Sequence, residues 1–341
     1  MGAITAAGIT LGTFKLQSNW GWRIPSVLQL VPSTLQVSFI YLMPESPRWL
    51  ISKGRVEEAM AILVKYHAEG DEDSEFVKAE YVQIEKTLEL ERETAKVGWT
   101  QLISTAGMRR RVLIGAFLGL ATQWSGNGLT SYFLARILEN VGVHDNHTKN
   151  VINLGNTCWG FFNATILALT VSRFKRRTMY LACTISLTTV FTAWTVASAR
   201  YAETKSQESS KAVIAYVLYD LAIPCYNMAY NALTYTFLVE LFPFQVRAKG
   251  IAVFQWFGRM AGFFNQFVNP IGIAHAGWKY YISYCIFLLF EVVFVFFLFP
   301  ETQGRTLEEL AFLYEDDKNL EQKKRVEEEI RMDEVEPGKD K

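Results

Sequence analysis

The sequence predicts an all-α membrane protein. Half of its 341 residues are hydrophobic, and its 34 basic residues balance its 34 acidic ones. Most charges are concentrated in residues 45–111 and 301–341, and the remaining sequence contains long runs with almost none. Such runs can cross a hydrocarbon core about 30 Å thick as helices. A helix satisfies its own backbone hydrogen bonds there, which an open strand cannot do.

Seven apolar runs are predicted membrane spans. They are residues 24–43, 112–138, 151–171, 179–199, 212–239, 250–273 and 280–299. Residues 1–14 are apolar but too short to cross alone, and they lack the basic start of a signal peptide. We interpret them as the end of a further span.

Composition also limits the partners. The four cysteines all lie inside predicted spans and lack metal-ligand spacing, so we expect neither a metal nor another cofactor. The sequence has no basic face with interleaved aromatic residues, so we do not expect it to bind nucleic acid. The expected surroundings are therefore a lipid bilayer.

Loop charges predict the orientation. The loop SRFKRRT at 172–178 has four basic residues in seven, which is typical of a cytoplasmic loop. Alternation of spans then places residues 44–111 and the C-terminus in the cytoplasm, although the basic loop 199–211 weakens this assignment. Residues 44–111 form a polar linker in which two amphipathic patterns predict short helices.

A short motif that begins with Pro-Glu and follows an apolar run occurs twice in the sequence. PESPRWL at 44–50 and PETQGRTLEEL at 300–310 each follow a long apolar run. Many transporters are built from repeated groups of membrane helices. The repetition predicts a remnant of one membrane half at 1–43, the linker at 44–111, a six-helix half at 112–299, and a terminal motif with a disordered tail at 300–341.

Several motifs in the same order resemble the sugar porter family of the major facilitator superfamily. They are PESPRWL followed by KGRVEEA, then RFKRRT, ELFPFQVRAKG and PETQGRTLEEL. WSGNGLTSYFL and FFNQFVNP are most similar to the fungal lactose permease and hexose transporter branch.

The resemblance implies a major facilitator-type helix bundle that moves sugar by alternating access. The family has twelve helices, and this chain is similar to the complete C-terminal six-helix half plus the last one or two helices of the N-terminal half. We therefore expect an N-terminally truncated chain that does not transport alone. The resemblance also implies a multi-pass plasma-membrane protein whose substrate is a hexose or disaccharide. A proton is a possible second partner, but the family places its coupling carboxylate in the first helix.

Span 112–138 carries the clearest candidate for sugar binding. Gln123, Asn127 and Thr130 follow i, i+4, i+7 spacing and share one helix face. Gly126 and Gly128 flank Asn127, so they allow the helix to open locally, as in other transporter helices. Polar groups at this depth are costly and usually have a purpose. Hydrogen bonding between helices is the alternative purpose.

Other spans add further polar and aromatic residues. Asn231 and Tyr235 are one helical turn apart, and Asn265 lies in span 250–273. Asn156 lies in span 151–171, where hydrogen bonding between helices is at least as good an interpretation. By register with the family, Thr122 falls at a sugar-binding glutamine. The predicted substrate-binding residues are Thr122, Gln123, Asn127, Tyr132, Asn156, Asn231, Tyr235 and Asn265.

Two groups of charged residues complete the predictions. Arg259 and Glu291 lie at similar depth in adjacent spans, so we predict an intramembrane ion pair, with an Arg259 that faces the substrate as the alternative. The resemblance implies a latch of Glu–Arg bridges that closes the inner gate. Its residues are Glu45, Arg48, Arg176, Glu240, Arg247, Glu301 and Arg305.

Two other function classes remain as alternatives. A non-transporting sugar sensor would keep the binding site and signal through its tail. A membrane-embedded enzyme has no support, because H-E-x-x-H, G-x-S-x-G and a phosphate-binding glycine loop are all missing from the sequence. We therefore do not expect an enzyme.

Overall fold

The computed structural model describes residues 1–16, 18–71, 73–95, 98–218, 222–305, 310 and 314. The chain divides into two compact units, one of residues 4–98 with Gly2 and one of residues 99–341 with Met1 and Ala3. We call them the N-terminal and C-terminal units. All regular elements within the described ranges are helical. The tail predicted to be disordered lies outside the described residues.

The described part of the N-terminal unit contains six helices. They are α1 (Gly2–Phe14), α2 (Trp20–Leu28), α3 (Leu30–Ile40), α4 (Pro47–Ser52), α5 (Val56–His67) and α6 (Glu75–Ala95). The predicted span 24–43 is therefore divided near Gln29. Pro32 contributes to this because it has no N–H with which to bond the carbonyl of Leu28. In the linker, Leu50, Ile51 and Ala59 form a small core against α6.

Within its described residues, the C-terminal unit contains nine α-helices. They are α7 (Ala106–Trp124), α8 (Asn127–Asn140), α9 (Asn146–Thr170), α10 (Arg176–Thr204), α11 (Gln207–Leu218), α12 (Ala222–Tyr226), α13 (Thr234–Leu241), α14 (Arg247–Ala276) and α15 (Tyr280–Leu298). A π-helical turn, Asn227–Asn231, joins α12 to α13. This turn and the break between α7 and α8 interrupt two predicted spans, and both interruptions line the candidate site described below.

Two continuous helical segments of the described chain are long and apolar enough to cross a membrane. They are Arg176–Thr204 and Phe244–Leu298, and the second contains both α14 and α15. The predicted spans 112–138 and 212–239 are present as broken helices, which are individually shorter. Large apolar side chains such as Phe267 and Phe297 are 60% and 70% exposed on the outer faces of α14 and α15. A lipid environment would cover such faces.

Glycines allow α7 and α14 to pack closely. A Cβ atom on Gly119 would lie 2.5 Å from the carbonyl oxygen of Phe254 and 3.0 Å from the backbone nitrogen of Gly258. A Cβ atom on Gly262 would lie 3.4 Å from Oε1 of Gln123. Small residues at such a contact let two helix backbones approach. Gly258 and Gly262 of α14 therefore pack directly against α7.

Candidate functional site

The break between α7 and α8 is the centre of the candidate site. Helix α7 ends at Trp124, α8 begins at Asn127, and Gly126 between them has φ of 95°. Only glycine adopts this left-handed conformation at little cost. The local helix opening predicted from the glycines is confirmed.

The break releases two backbone carbonyls that a continuous helix would use. The Tyr226 hydroxyl donates to the carbonyl oxygen of Thr122 at 2.8 Å, and Asn265 Nδ2 donates to that of Gln123 at 2.8 Å. A buried carbonyl without a partner is unfavourable, so these bonds stabilise the open helix. They also connect α7 to α12 and α14. Each released carbonyl is thus satisfied by a side chain from a different element.

A cavity of about 460 Å³ lies beside the break. Residues from α7, α8, α12, the π-helical turn, α13 and α14 form its wall. Six of the eight predicted substrate-binding residues line it, namely Thr122, Gln123, Tyr132, Asn231, Tyr235 and Asn265. Asn127 and Asn156 are not in this wall: Asn127 Oδ1 accepts a hydrogen bond from Ser131 at 3.4 Å, and Asn156 is buried in α9. The structure therefore brings together residues from three predicted spans, 112–138, 212–239 and 250–273.

The cavity wall combines amides with aromatic rings. Gln255 Nε2 donates to the Tyr235 hydroxyl at 2.7 Å, and the Tyr235 ring meets Phe254 edge to face with centroids 6.0 Å apart. Asn231 Nδ2 donates to Asn227 Oδ1 at 3.0 Å. Amides and hydroxyls can hydrogen-bond a polyhydroxylated ligand, while ring faces cover its C–H surface. The cavity chemistry suits a small, neutral, polar molecule.

Sequence reasoning missed several residues of the wall. Tyr226, Tyr230, Gln255, Gln266 and Asn269 line the cavity but were not predicted as substrate-binding residues. Tyr226 and Tyr230 are one helical turn apart and directly precede Asn227 and Asn231. This repeated Tyr-Asn pair was an available signal of a polar wall.

The structure does not bring Arg259 and Glu291 together. Glu291 is fully buried, and its Oε2 accepts a hydrogen bond from the Tyr230 hydroxyl at 2.9 Å. Arg259 is exposed and lines the cavity. No ion pair between them occurs in the described part of the chain. The predicted pair is corrected accordingly, and the placement of Arg259 matches the alternative, an arginine that faces the cavity.

Four residues from three segments form a polar cluster at one end of the C-terminal unit. We call Arg176, Glu240, Glu301 and Thr302 the basal cluster. Arg176 and Glu240 form an ion pair at 3.4 Å, and the Thr302 hydroxyl donates to Glu240 at 2.6 Å. The Glu301 carboxylate accepts from the backbone N–H groups of Arg176 and Arg177 at 3.0 and 3.2 Å. Glu301 therefore caps the first turn of α10, where an anion is favoured.

The other latch residues lie elsewhere. Arg247 Nε donates to the carbonyl oxygen of Phe242 at 3.3 Å, and Arg305 is exposed. Glu45 and Arg48 belong to the N-terminal unit. Among the described residues of the C-terminal unit, the predicted Glu–Arg bridging is represented by the Arg176–Glu240 ion pair.

Replacing Glu301 by alanine should destabilise the C-terminal unit. The change removes the acceptor for two backbone N–H groups of α10, and loss of a helix cap costs about 0.5–2 kcal/mol. Thermal unfolding of the detergent-solubilised protein would measure the loss. Arg305→Ala is the control, since Arg305 is an exposed residue of the same motif. Equal melting temperatures for Glu301→Ala and the wild type would show that the cap is not needed.

Two carboxylates where α8 ends and α9 begins have lowered pKa values. Lys149 Nζ donates to Glu139 Oε1 at 2.6 Å, and this hydrogen bond lowers the pKa of Glu139. Asp145 caps α9 by accepting from Thr148, whose side chain and backbone lower the pKa of Asp145. Both carboxylates remain ionised at neutral pH, so this end of the unit keeps its charged contacts.

The chain matches a family model over residues 1–314, and that model describes the sugar (and other) transporter family. The chain belongs to this family. Its members are integral membrane proteins. The predicted family resemblance is thereby confirmed.

Individual relatives agree with the family assignment. The chain is 29% identical to the hexose transporter HXT9 of Saccharomyces cerevisiae, over 92% of this chain and 56% of that protein. It is also 29% identical to the MFS glucose transporter mfs1 of Aspergillus flavus, over 94% of this chain and 62% of that protein. The chain thus spans little more than half the length of these two relatives.

Solved structures show the same fold. The inward-open xylose transporter XylE of E. coli gives a TM-score of 0.69 at 19% identity, with 92% of this chain and 62% of that chain covered. XylE bound to 6-bromo-6-deoxy-D-glucose gives 0.63 at 23% identity, with 91% and 64% covered. At this identity the likeness concerns the fold. The predicted all-α, major facilitator-type bundle is confirmed.

Proposed function

We propose that the C-terminal unit supplies one half of a carbohydrate-binding site in a major facilitator-type carrier. The observation that carries the proposal is the 460 Å³ cavity at the α7–α8 break, whose wall combines amides with aromatic rings. In such carriers the substrate lies between two helix repeats that rock around it. The cavity wall would hold the sugar while the second half closes over it.

The named relatives support a sugar as the substrate class. They include hexose, glucose and galactose transporters of fungi. The XylE structure with the bromodeoxyglucose is described as a proton:xylose symporter, so a proton is a second candidate partner. We propose a hexose as the first sugar to test. A multi-pass chain in the plasma membrane with a cytoplasmic C-terminus is part of the same proposal.

Gln123 is the residue best placed to contact the sugar. It lies at the end of α7, where the helix opens, and its backbone carbonyl is already held by Asn265. Its side chain lines the cavity and is half-buried. Because the backbone of Gln123 is already fixed, a hydrogen bond from its side chain to the sugar would lose little conformational entropy on binding.

Sugar binding to the purified chain in nanodiscs tests the proposal. We expect D-glucose to bind, and Gln123→Ala to weaken it about 3- to 10-fold, the worth of one net hydrogen bond. Asn163→Ala is the control, because Asn163 Nδ2 donates to the Trp159 carbonyl oxygen and the residue is not in the cavity wall. Absence of glucose binding to the wild type would contradict the proposal.

Uptake separates a carrier from a sensor. We predict no uptake when this chain alone is expressed in a transporter-null yeast strain, because a carrier needs two halves around its site. Co-expression with the first four helices of a fungal hexose transporter should restore uptake if the unit is a carrier half. Glucose binding without uptake in that co-expression would favour the sensor, and uptake by this chain alone would refute the requirement for a second half.

A further inference from the structure

Asn269 is a buried amide in the cavity wall that was not among the predicted substrate-binding residues. It lies on α14 directly before Pro270, and its side chain has no exposed area. The hydroxyl groups of Tyr280 and Tyr284 both donate to its Oδ1, at 2.7 and 2.6 Å. Two residues of α15 thus fix the orientation of one amide on α14.

This arrangement leaves the amide nitrogen available. An amide oxygen has two lone pairs, and both are occupied by the tyrosine hydroxyls. Nδ2 of Asn269 is buried and has no hydrogen-bond partner within the described residues. Buried donors without a partner are rare and unfavourable. Because Asn269 lines the cavity, a ligand in the cavity can supply the missing acceptor.

Three other amides of the same wall differ in this respect. The nitrogen of Asn231 donates to Asn227, that of Gln255 to Tyr235, and that of Asn265 to Gln123. Each of these has a protein acceptor. Asn269 has two positioned N–H bonds and none is used by a described residue.

We infer that Asn269 is a sugar-binding residue, whose Nδ2 donates to a ligand hydroxyl oxygen, and that Tyr280 and Tyr284 are its positioning residues. The inference rests on the proposed sugar-binding function. Asn269 is 14 residues from Gln255, which corresponds to about 21 Å along α14. It therefore defines a subsite at the α15 end of the cavity. Its contact would select sugars with a hydroxyl at the position that reaches this subsite.

Binding of D-glucose and its monodeoxy analogues to the wild type, Asn269→Asp and Asn269→Leu in nanodiscs tests the inference. We expect both variants to bind glucose about 10-fold more weakly or worse. One deoxy analogue should bind the wild type and the variants equally, because the hydroxyl that it lacks is the partner of Nδ2. Such non-additivity identifies a direct contact. The same loss factor for every analogue would overturn the inference.

Two further variants separate this inference from the proposed function and from misfolding. Tyr280→Phe keeps the Asn269 amide but removes one of its two anchors, so it should weaken glucose binding less than Asn269→Leu and spare the same analogue. Size-exclusion profiles confirm folding, and Asn269→Asp, which retains an acceptor for the tyrosines, serves if Asn269→Leu is unfolded. If the wild type binds no glucose, the proposed function fails. If Gln123→Ala weakens glucose binding and the Asn269 variants do not, the role inferred for Asn269 is refuted while the proposed function stands.

Discussion

Replacing Gly126 by alanine is expected to destabilise the C-terminal unit more than any other single change that we propose. The left-handed φ of 95° costs about 1–2 kcal/mol for a residue with a Cβ atom. That Cβ atom would also overlap the ring of Phe191, which is fully buried. Overpacking of a core adds about 1–3 kcal/mol. We therefore expect a loss of about 2–5 kcal/mol in the free energy of unfolding.

The same change should disturb the cavity. A backbone that relieves the strain at position 126 must move the segment that joins α7 to α8. The carbonyl groups of Thr122 and Gln123, held by Tyr226 and Asn265, lie in the turn before this segment. Any glucose binding should therefore be lost together with stability.

Thermal unfolding in detergent, followed by tryptophan fluorescence, measures this effect. Gly155→Ala is a matched control, because Gly155 lies inside α9 with open space around it. Alanine there should be neutral or stabilise by up to about 1 kcal/mol. Equal melting temperatures for Gly126→Ala and Gly155→Ala would contradict the role that we assign to Gly126.

Much of this fold could be predicted from the sequence because membrane spans have a strong hydropathy signal. The α7–α8 break was also predictable, since Gly126 and Gly128 flank a polar residue inside an apolar run. The π-helical turn at Asn227–Asn231 was not predicted as such. Pro224 indicates a kink nearby, but the hydrogen-bond pattern of the turn depends on its neighbours.

Depth along a helix axis does not determine which direction a side chain faces. Arg259 and Glu291 were paired because they lie at similar depth, yet one lines the cavity and the other is buried against Tyr230. Asn269 was not among the predicted substrate-binding residues. Its significance depends on Tyr280 and Tyr284, which lie on the next helix. Contacts between helices are tertiary information that the spacing within one helix does not contain.

Tyr230→Phe is the second change with a large expected effect. Glu291 is fully buried, and Tyr230 is the described residue that donates a hydrogen bond to it. Removing the hydroxyl leaves both carboxyl oxygens of Glu291 without a donor, since Oε1 already has none in the described part of the chain. An unsatisfied buried polar group costs about 1–3 kcal/mol, and more if it is charged. The melting temperature should fall accordingly.

Three companion variants decide between the observed contact and the ion pair predicted from the sequence. Glu291→Gln keeps an oxygen that accepts from Tyr230, so it should change stability little. If Glu291 instead formed an ion pair with Arg259, the same variant would break that pair and destabilise the protein. Arg259→Met should also be nearly neutral, because Arg259 is exposed in the cavity wall. Tyr281→Phe is the matched control, a buried tyrosine for which no hydrogen bond is seen among the described residues. Breaking a buried ion pair leaves an uncompensated charge. If Glu291→Gln and Arg259→Met destabilise the protein while Tyr230→Phe does not, the result would therefore support the ion pair and contradict the Tyr230–Glu291 contact.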